Sequence, residues 1–252
     1  MKIFSPDNIF TELIRKSIDE KVASQMSLLA SSLITGEVLK NSDSVGLIPT
    51  MDLLGHKDLF VSKSFGISFE ESLCNSYLYF QTHGKEIKEL SLTGDISSNE
   101  AIGGKLILKE LYGVDAQINI LTPGQNTEDR SLLSVGNGNF ENDKFLEGIS
   151  FAEEIIEVLS LPYVNFVLVS TEETSLKEFR QSIGDIQSKI YSLSENENFG
   201  DHLSVKAKEK IKESISSFVC NLDEQDLDGI DQLLRLAFYH EIIPEIIEVK
   251  FV

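Results

Sequence analysis

A Ser-x-x-Glu motif formed by Ser97 and Glu100 is the first candidate for chemistry. At this spacing the Ser97 side chain can accept a hydrogen bond from the amide three residues on, while the Glu100 carboxylate reaches back to the Ser97 amide, which is a helix capping box. Helix starts also favour anions, so the same residues could face a cleft and bind a carboxylate. A glutamate in the first turn competes with such an anion. If Glu100 faces the cleft, we therefore expect a neutral or cationic ligand, or a general base whose pKa is raised by burial.

Thr50 and Asp52 directly follow a predicted strand, Val45–Ile48. Residues just beyond the carboxyl end of a parallel strand are well placed to line a ligand cleft. An enclosed Asp52 carboxylate could act as the base of a dehydration, or Asp52 could cap or begin a helix. Asn8 follows the first predicted strand and invites the same two interpretations, with a cap for a helix over Ile9–Ile18 as the favoured one.

Gly136 and Asn137 follow another predicted strand, Leu132–Val135. Glycine permits a close approach between the backbone and a ligand. The next pair, Asn137-Gly138, is also the commonest dipeptide of tight turns. These residues are therefore either ligand-binding residues or parts of a turn.

No motif predicts a metal or cofactor site. The four histidines lie far apart, and the two cysteines, Cys74 and Cys220, are too distant in sequence for a dense disulfide framework. The acidic segment Asp223–Gly229 does not have the ligand spacing of a calcium loop and favours a helix start instead. We therefore expect neither a metal nor a cofactor.

The charge balance excludes two classes of partner. The 252 residues include 41 acidic and 22 basic ones, for a net charge of −19. Such a charge repels phosphate backbones and anionic lipids, which argues against nucleic-acid binding and membrane association. No apolar stretch approaches the roughly 18 residues of a membrane-spanning helix, and no secretory signal pattern opens the sequence. We expect a soluble, cytoplasmic protein, and the sequence leaves its oligomeric state open.

Short apolar segments alternate with amphipathic ones, which predicts an α/β protein with largely parallel sheets. The predicted strands are Lys2–Phe4, Val45–Ile48, Leu59–Val61, Tyr77–Phe80, Glu89–Leu92, Ile118–Leu121, Leu132–Val135 and Tyr163–Val169. The predicted helices are Ile9–Ile18, Gln25–Leu39, Glu100–Tyr112, Phe151–Leu159 and, with no strong strand between them, three over 176–193, 203–218 and 227–238. Extended segments near 76–81 and 163–170 predict two crossings between two lobes.

Three segments occur in the order and spacing of a known family: Ser42–Thr50, Leu106–Gly113 and Leu161–Val169. Over nearly its whole length the sequence resembles the menaquinone-biosynthesis proteins of the futalosine route, chorismate dehydratase and its naphthoate-forming relative. The resemblance implies a two-lobed type II periplasmic-binding-protein fold with an interlobe cleft. Lobe one then comprises residues 1–76 and 168–252, and lobe two comprises residues 77–167. A cofactor-free carbon–oxygen lyase, acting on chorismate or on a later futalosine-derived intermediate, is the implied activity.

Several residues differ from the family pattern where the ligand is expected. The family's Ser-x-Thr-Ser element is Ser97-Ser98-Asn99-Glu100 here, its Gly-Asp pair is Gly136-Asn137, and a serine on the first crossing strand is Asn75. The resemblance implies Asp52 or Glu100 as the catalytic base and a further set of ligand-binding residues: Thr50, Asn75, Ser97, Asn99, Gly136 and Asn137. The differences favour a changed ligand, so a noncatalytic solute-binding protein of the same fold is the alternative. In both cases the expected partner is a small molecule in the interlobe cleft.

Overall fold

The computed structural model describes residues 1–81, 87–196 and 199–252. The strands, numbered along the chain, are β1 (Lys2–Pro6), β2 (Met26–Leu29), β3 (Ser44–Pro49), β4 (Phe60–Phe69), β5 (Ser76–Tyr79), β6 (Glu89–Gly94), β7 (Gln117–Ile120), β8 (Leu132–Val135), β9 (Ile149–Ser150), β10 (Tyr163–Ser170), β11 (Phe218–Val219) and β12 (Lys250–Phe251). The α-helices are α1 (Ile9–Ser17), α2 (Glu20–Ala23), α3 (Ile34–Lys40), α4 (Ser98–Tyr112), α5 (Gly138–Glu141), α6 (Phe151–Leu159), α7 (Glu173–Ile183), α8 (Ile186–Glu195), α9 (Val205–Ser214) and α10 (Glu224–Tyr239). Short 3₁₀ helices cover Ser31–Leu33, Thr50–Leu54, Lys144–Leu146 and Ile215–Ser217.

The first sheet has the strand order β11-β4-β10-β3-β1-β2, and β12 also pairs with β4. Strand β1 is parallel to β2 and β3, whereas β10 lies antiparallel between β3 and β4. Every residue of β3 and of β10 is buried, as expected for central strands covered on both faces. The prediction of a largely parallel sheet is therefore wrong here, because the chain returns through β10 against the direction of both neighbours.

The second sheet has the order β7-β6-β8-β5-β9, with β6 parallel to β7 and β8, and β5 antiparallel to β8 and β9. We call the first sheet with α1–α3 and α7–α10 the first lobe, and the second sheet with α4–α6 the second lobe. The boundaries at residues 76/77 and 167/168 stay predictions. Strand pairing assigns Ser76 to the second sheet and Tyr163–Val167 to the first.

The predicted helix Gln25–Leu39 is wrong over its first half. Residues Met26–Leu29 form β2, which pairs in register with Ile3–Pro6 at the edge of the first sheet. A 3₁₀ turn follows, and only Ile34–Lys40 is α-helical. Pairing with a strand that lies more than twenty residues away outweighs the local helical spacing of the apolar residues.

The C-terminal third also differs in detail from its prediction. The expected helix over 176–193 is two helices, because Gly184 adopts a φ of 61° after α7 and Asp185 begins α8 by accepting a hydrogen bond from the Ser188 amide. The short strand Phe218–Val219 pairs with β4 between the last two helices. The chain therefore returns to the first sheet once more before α10.

Aromatic side chains form a buried core that continues from one lobe into the other. Phe10 of α1 contacts Phe69 and Phe218 in the first lobe, with ring centroids 4.8 Å and 5.0 Å away. Phe140 of α5 contacts Tyr77 in the second lobe at 6.1 Å. The two lobes therefore share one apolar core along this side of the molecule.

Within the described ranges, no helix is both long enough and apolar enough to cross a lipid bilayer.

Candidate functional site

The carboxyl ends of parallel strands from both sheets meet between the lobes. In the first lobe these ends are Pro6, Leu29 and Pro49, and in the second lobe they are Gly94 and Val135. Ligands of open α/β folds bind outside such ends. Here the residues just beyond each end are joined to the opposite lobe by hydrogen bonds. We call these four contacts the interlobe interface: Ile9–Asn137, Ser31–Asp95, Met51–Asn99 and Asp52–Ser98.

The first contact joins the start of α1 to the turn after β8. Asn8 caps α1 by accepting a hydrogen bond from the Thr11 amide at 2.9 Å, which confirms the predicted cap. The Ile9 amide of the first turn then donates to Asn137 Oδ1 at 2.9 Å. Gly136 adopts a φ of 111°, and its amide donates to the Asn75 carbonyl at 2.8 Å. Gly136 therefore bonds to the residue that precedes β5, and Asn137 holds an amide of the first lobe.

The second contact joins the 3₁₀ turn after β2 to the turn after β6. The Ser31 amide donates to Asp95 Oδ1 at 2.9 Å, and Ser31 Oγ donates to Asp95 Oδ2 at 2.6 Å. Gly94 makes this turn possible, because it adopts a φ of 99° and a Cβ there would lie 1.9 Å from the Val135 carbonyl oxygen. Sequence reasoning missed both Ser31 and Asp95. The only sequence signal for them is their position after strands, and for Ser31 this signal is hidden because β2 lies in a segment whose spacing predicts a helix.

The third contact places a side-chain amide against the 3₁₀ turn after β3. Asn99 is 1% exposed, and its Oδ1 accepts a hydrogen bond from the Met51 amide at 2.9 Å. Its Nδ2 donates to the carbonyl and the side-chain oxygen of Asn165, at 2.5 Å and 2.7 Å. Tyr163 also donates to Asn165 Oδ1, at 3.0 Å. Asn99 thus connects α4 to both the turn after β3 and the return strand β10.

Asp52 and Thr50 lie in that same turn but have different surroundings. The half-buried Asp52 carboxylate accepts hydrogen bonds from Thr35 Oγ1 of the first lobe and from Ser98 Oγ of the second, the latter at 2.6 Å. Thr50 is fully buried, and its hydroxyl donates to the Val164 carbonyl at 2.6 Å. Of these two predicted site residues, only Asp52 takes part in the interlobe interface.

Ser97 and Glu100 form the capping box that their spacing predicts. Glu100 Oε2 accepts hydrogen bonds from the Ser97 amide at 3.0 Å and from Ser97 Oγ at 2.6 Å, while Oε1 accepts one from Ser76 Oγ at 3.1 Å. Glu100 is 2% exposed, and this burial raises its pKa above the usual 4.5 although the bonds from Ser97 act in the opposite direction. The carboxylate therefore lies inside the second lobe, bound to residues of that lobe. Asn75, another predicted ligand-binding residue, is also buried at 2% exposure.

A pocket of about 570 Å³ opens at the α1 end of the interlobe interface. Its lining residues include Asp7, Asn8, Glu12, Arg15, Asn137 and His202. The volume suits a small organic molecule. Both signs of charge are present, so the pocket offers partners to an anionic group as well as to a cationic one.

Among residues 1–81, 87–196 and 199–252, no group of three or more His, Cys, Asp or Glu side chains is arranged to hold a metal ion.

Several solved structures have a fold similar to that of this chain. Protein AF1704 from Archaeoglobus fulgidus superimposes with a TM-score of 0.66 at 13% identity, over 96% of this chain and 98% of that one. The aliphatic sulphonate binding protein SsuA from Escherichia coli gives a TM-score of 0.62 at 11% identity, over 99% and 90% of the two chains. The fold is that of the periplasmic binding proteins.

A third solved structure has the same fold, whereas comparisons of the sequence find no match. SsuA from Xanthomonas axonopodis pv. citri, in a structure bound to MOPS, superimposes with a TM-score of 0.62 at 11% identity, over 100% of this chain and 97% of that one. No protein-family model and no curated protein matches the sequence. The two-lobed α/β fold expected from the sequence is thus confirmed, and at these identities the likeness extends to the fold alone.

Proposed function

We propose that the chain binds a small anion rich in oxygen atoms at the interlobe interface. The observation that carries this proposal is that the Ile9, Ser31 and Met51 amides each follow the carboxyl end of a parallel strand and each hold a side-chain oxygen of the second lobe. When the lobes separate, these amides and the Ser31 hydroxyl become free donors on one surface. Converging donors of this kind favour carboxylates, sulfonates or phosphates.

The position of Glu100 removes an objection to an anionic ligand. A carboxylate facing the cleft would repel an anion, but the Glu100 carboxylate is bound to Ser97 and Ser76 inside the second lobe. Asp95 is the carboxylate that does reach the first lobe, at Ser31. It therefore stands where an anionic group of the ligand would bind, and the ligand has to displace it.

The named ligands of two structural neighbours support the same chemical class. One SsuA is described as binding aliphatic sulphonates and the other is bound to MOPS, which is itself a sulfonate. A sulfonate presents three oxygen atoms around one centre. Such a group could occupy several of the donors that the interlobe contacts now satisfy.

A finer proposal is a cofactor-free lyase resembling chorismate dehydratase, with Asp52 or Glu100 as the base. The half-buried Asp52 carboxylate at the interlobe interface favours it, since a base must reach the substrate. Glu100 would need a rearrangement of the second lobe to reach a substrate. The noncatalytic alternative is supported by Asp52 itself, because both of its oxygens already accept hydrogen bonds from hydroxyl groups.

We also propose that the protein is located in the cytoplasm, and cell fractionation tests this location.

Thermal unfolding in the presence of ethanesulfonate, MOPS and chorismate tests the binding function. A ligand at 100 times its dissociation constant adds about 2.7 kcal/mol to the free energy of unfolding, so a concentration-dependent rise in Tm is expected. Dimethyl sulfone, which is similar in shape to a sulfonate but uncharged, is the matched control and should produce no rise. If none of the anions raises Tm, or if dimethyl sulfone raises it equally, anion binding is wrong.

Product analysis with chorismate tests the lyase. Turnover that is lost in Asp52→Asn or in Glu100→Gln would support the corresponding base. Turnover that is undiminished in both variants would contradict both assignments, and binding without turnover in the wild-type protein would favour the noncatalytic alternative.

A further inference from the structure

The pocket at the α1 end of the interlobe interface contains a carboxylate that the fold leaves unused. Asp7 directly follows β1 and lines this pocket, and its backbone amide donates to the Leu29 carbonyl at 3.1 Å. The Asp7 side chain is exposed and makes no hydrogen bond or ion pair within the ranges 1–81, 87–196 and 199–252. Strand pairing therefore holds the backbone at Asp7, while the carboxylate is free to bind a ligand.

The carboxylates of the interlobe interface differ in this respect. Asp52 and Asp95 accept hydrogen bonds from hydroxyl groups. Asp7 does not, and neither does Glu20, which lines the same pocket from the start of α2. The pocket therefore contains negative charge that no hydrogen bond of the described residues satisfies, and such charge attracts a cationic group.

The basic side chains of the pocket do not neutralise Asp7. Lys16 forms an ion pair with Glu12 at 2.9 Å. Arg15 lies on the third turn of α1, about 9 Å along the helix axis from its first residue. Neither Arg15 nor His202, the remaining basic residues of the lining, is ion-paired with Asp7 in the described part of the chain.

Two donors follow Asp7 directly along the chain. Asn8 is only 5% exposed, and its Oδ1 accepts from the Thr11 amide, but its Nδ2 makes no hydrogen bond among the described residues. Because Asn8 lines the pocket, Nδ2 is an unsatisfied donor available to an oxygen of a ligand. The Ile9 amide holds Asn137 Oδ1 at 2.9 Å, and a ligand oxygen can replace this one when the lobes separate.

We propose that this end of the interlobe interface selects a small zwitterion, with a cationic nitrogen close to its anionic oxygen group. The oxygen group binds Asn8 Nδ2 and the Ile9 amide, and the nitrogen pairs with the Asp7 carboxylate. A ligand without the cation would place its negative charge next to an unpaired carboxylate, which is unfavourable. This inference rests on the anion binding proposed above and adds the requirement for a positive charge.

Calorimetric titration with taurine and propane-1-sulfonate tests the requirement. The two sulfonates are similar in size and shape, and taurine has an ammonium group where propane-1-sulfonate has a methyl group. The wild-type protein should bind taurine about tenfold more tightly. Asp7→Asn should raise the dissociation constant of taurine about tenfold and lower that of propane-1-sulfonate about threefold. Asp43→Asn, which removes the same charge at an exposed loop position, is the matched control and should keep the preference.

Asn8→Ser tests the donor side of the same site. Serine is as good a helix cap as asparagine, so the start of α1 is retained while the Nδ2 donor is lost. Both sulfonates should bind about fivefold more weakly, and the preference for taurine should remain.

The outcomes separate this inference from the function on which it rests. Saturable binding of propane-1-sulfonate with an affinity equal to or higher than that of taurine would overturn the zwitterion proposal and leave anion binding intact. A preference for taurine that survives Asp7→Asn would also overturn it, since the cation would then be bound elsewhere. If neither sulfonate binds, anion binding at the interlobe interface is itself wrong, and the zwitterion proposal fails with it.

Discussion

The rings of Phe10 and Phe140 meet edge to face between the two lobes, with their centroids 6.4 Å apart and their planes at 78°. Both side chains are at most 1% exposed. Separation of the lobes along this side would expose both rings to water, which is unfavourable for large apolar surfaces. The closed arrangement is therefore stabilised by apolar burial as well as by the polar interlobe interface.

Phe140→Ala should lower the free energy of unfolding by about 3–5 kcal/mol, because it removes a fully buried ring and leaves a cavity at the junction of the lobes. Urea denaturation measures this loss. Phe80→Ala is the control, since Phe80 is only partly buried and contacts Tyr112 outside the junction. Equal losses in the two variants would show that the junction has no special role.

Asp95→Asn should strengthen the binding of ethanesulfonate while it weakens the closed state. The substitution removes the charge that bonds to the Ser31 amide and hydroxyl, so we expect a loss of about 1 kcal/mol in stability. Because the displaced group no longer competes as an anion, the dissociation constant should fall about tenfold, as calorimetric titration can measure.

The matched control for this experiment is Asp43→Asn, an exposed aspartate in the loop before β3. It changes the net charge by the same amount at a different place. If it improves binding as much as Asp95→Asn does, the effect is general electrostatics and the competing role of Asp95 is wrong.

Glu100→Gln should remove part of the pH dependence of stability. Burial raises the pKa of Glu100 in the folded state above its usual 4.5. At a pH between the unfolded-state pKa and this higher folded-state pKa, the folded protein therefore binds more protons than the unfolded chain. The contribution of Glu100 to stability is therefore largest below pH 4.5 and decreases as the pH rises towards the folded-state pKa. Gln does not titrate, and its variant lacks this decrease.

Urea denaturation of both proteins at several pH values from 4 to 8 measures the effect. The stability of the wild-type protein relative to Glu100→Gln should decrease with rising pH. A difference that stays constant or increases would contradict the effect of burial on this carboxyl group.

Asn99→Ala should lower the free energy of unfolding by about 2–3 kcal/mol, because it leaves the buried Met51 amide and Asn165 carbonyl without their partner. Asn126→Ala, in an exposed loop, serves as the control and should change stability by less than about 0.5 kcal/mol. A loss as small as that of the control would mean that water replaces the Asn99 contacts easily.

Features that depend on local spacing could be predicted from the sequence. The caps at Asn8 and Ser97 need only a few neighbouring residues, and both are present. The two-lobed fold followed from a resemblance over nearly the whole chain, and the structural neighbours confirm it.

Features that depend on distant pairing could not be predicted in the same way. Strand β2 fits helical spacing in sequence and becomes a strand only because β1 lies beside it. The Ser31–Asp95 contact depends on this strand and joins residues 64 positions apart. The packing of α4 on the second sheet decides whether the Glu100 carboxylate lies inside the second lobe or faces the cleft. A capping box is compatible with both directions, so the sequence alone could not decide between them.

The position of β10 between β3 and β4 has a consequence for the order of folding during synthesis. The pairs of the second sheet join residues no farther apart than Tyr77 and Ser150, whereas β4 needs partners at Tyr163, Phe218 and Lys250. Long separations make closure slower and entropically more costly. We therefore expect the second lobe to complete its sheet while the ribosome is still making the residues that β4 requires, so that the first lobe closes around a neighbour that is already folded.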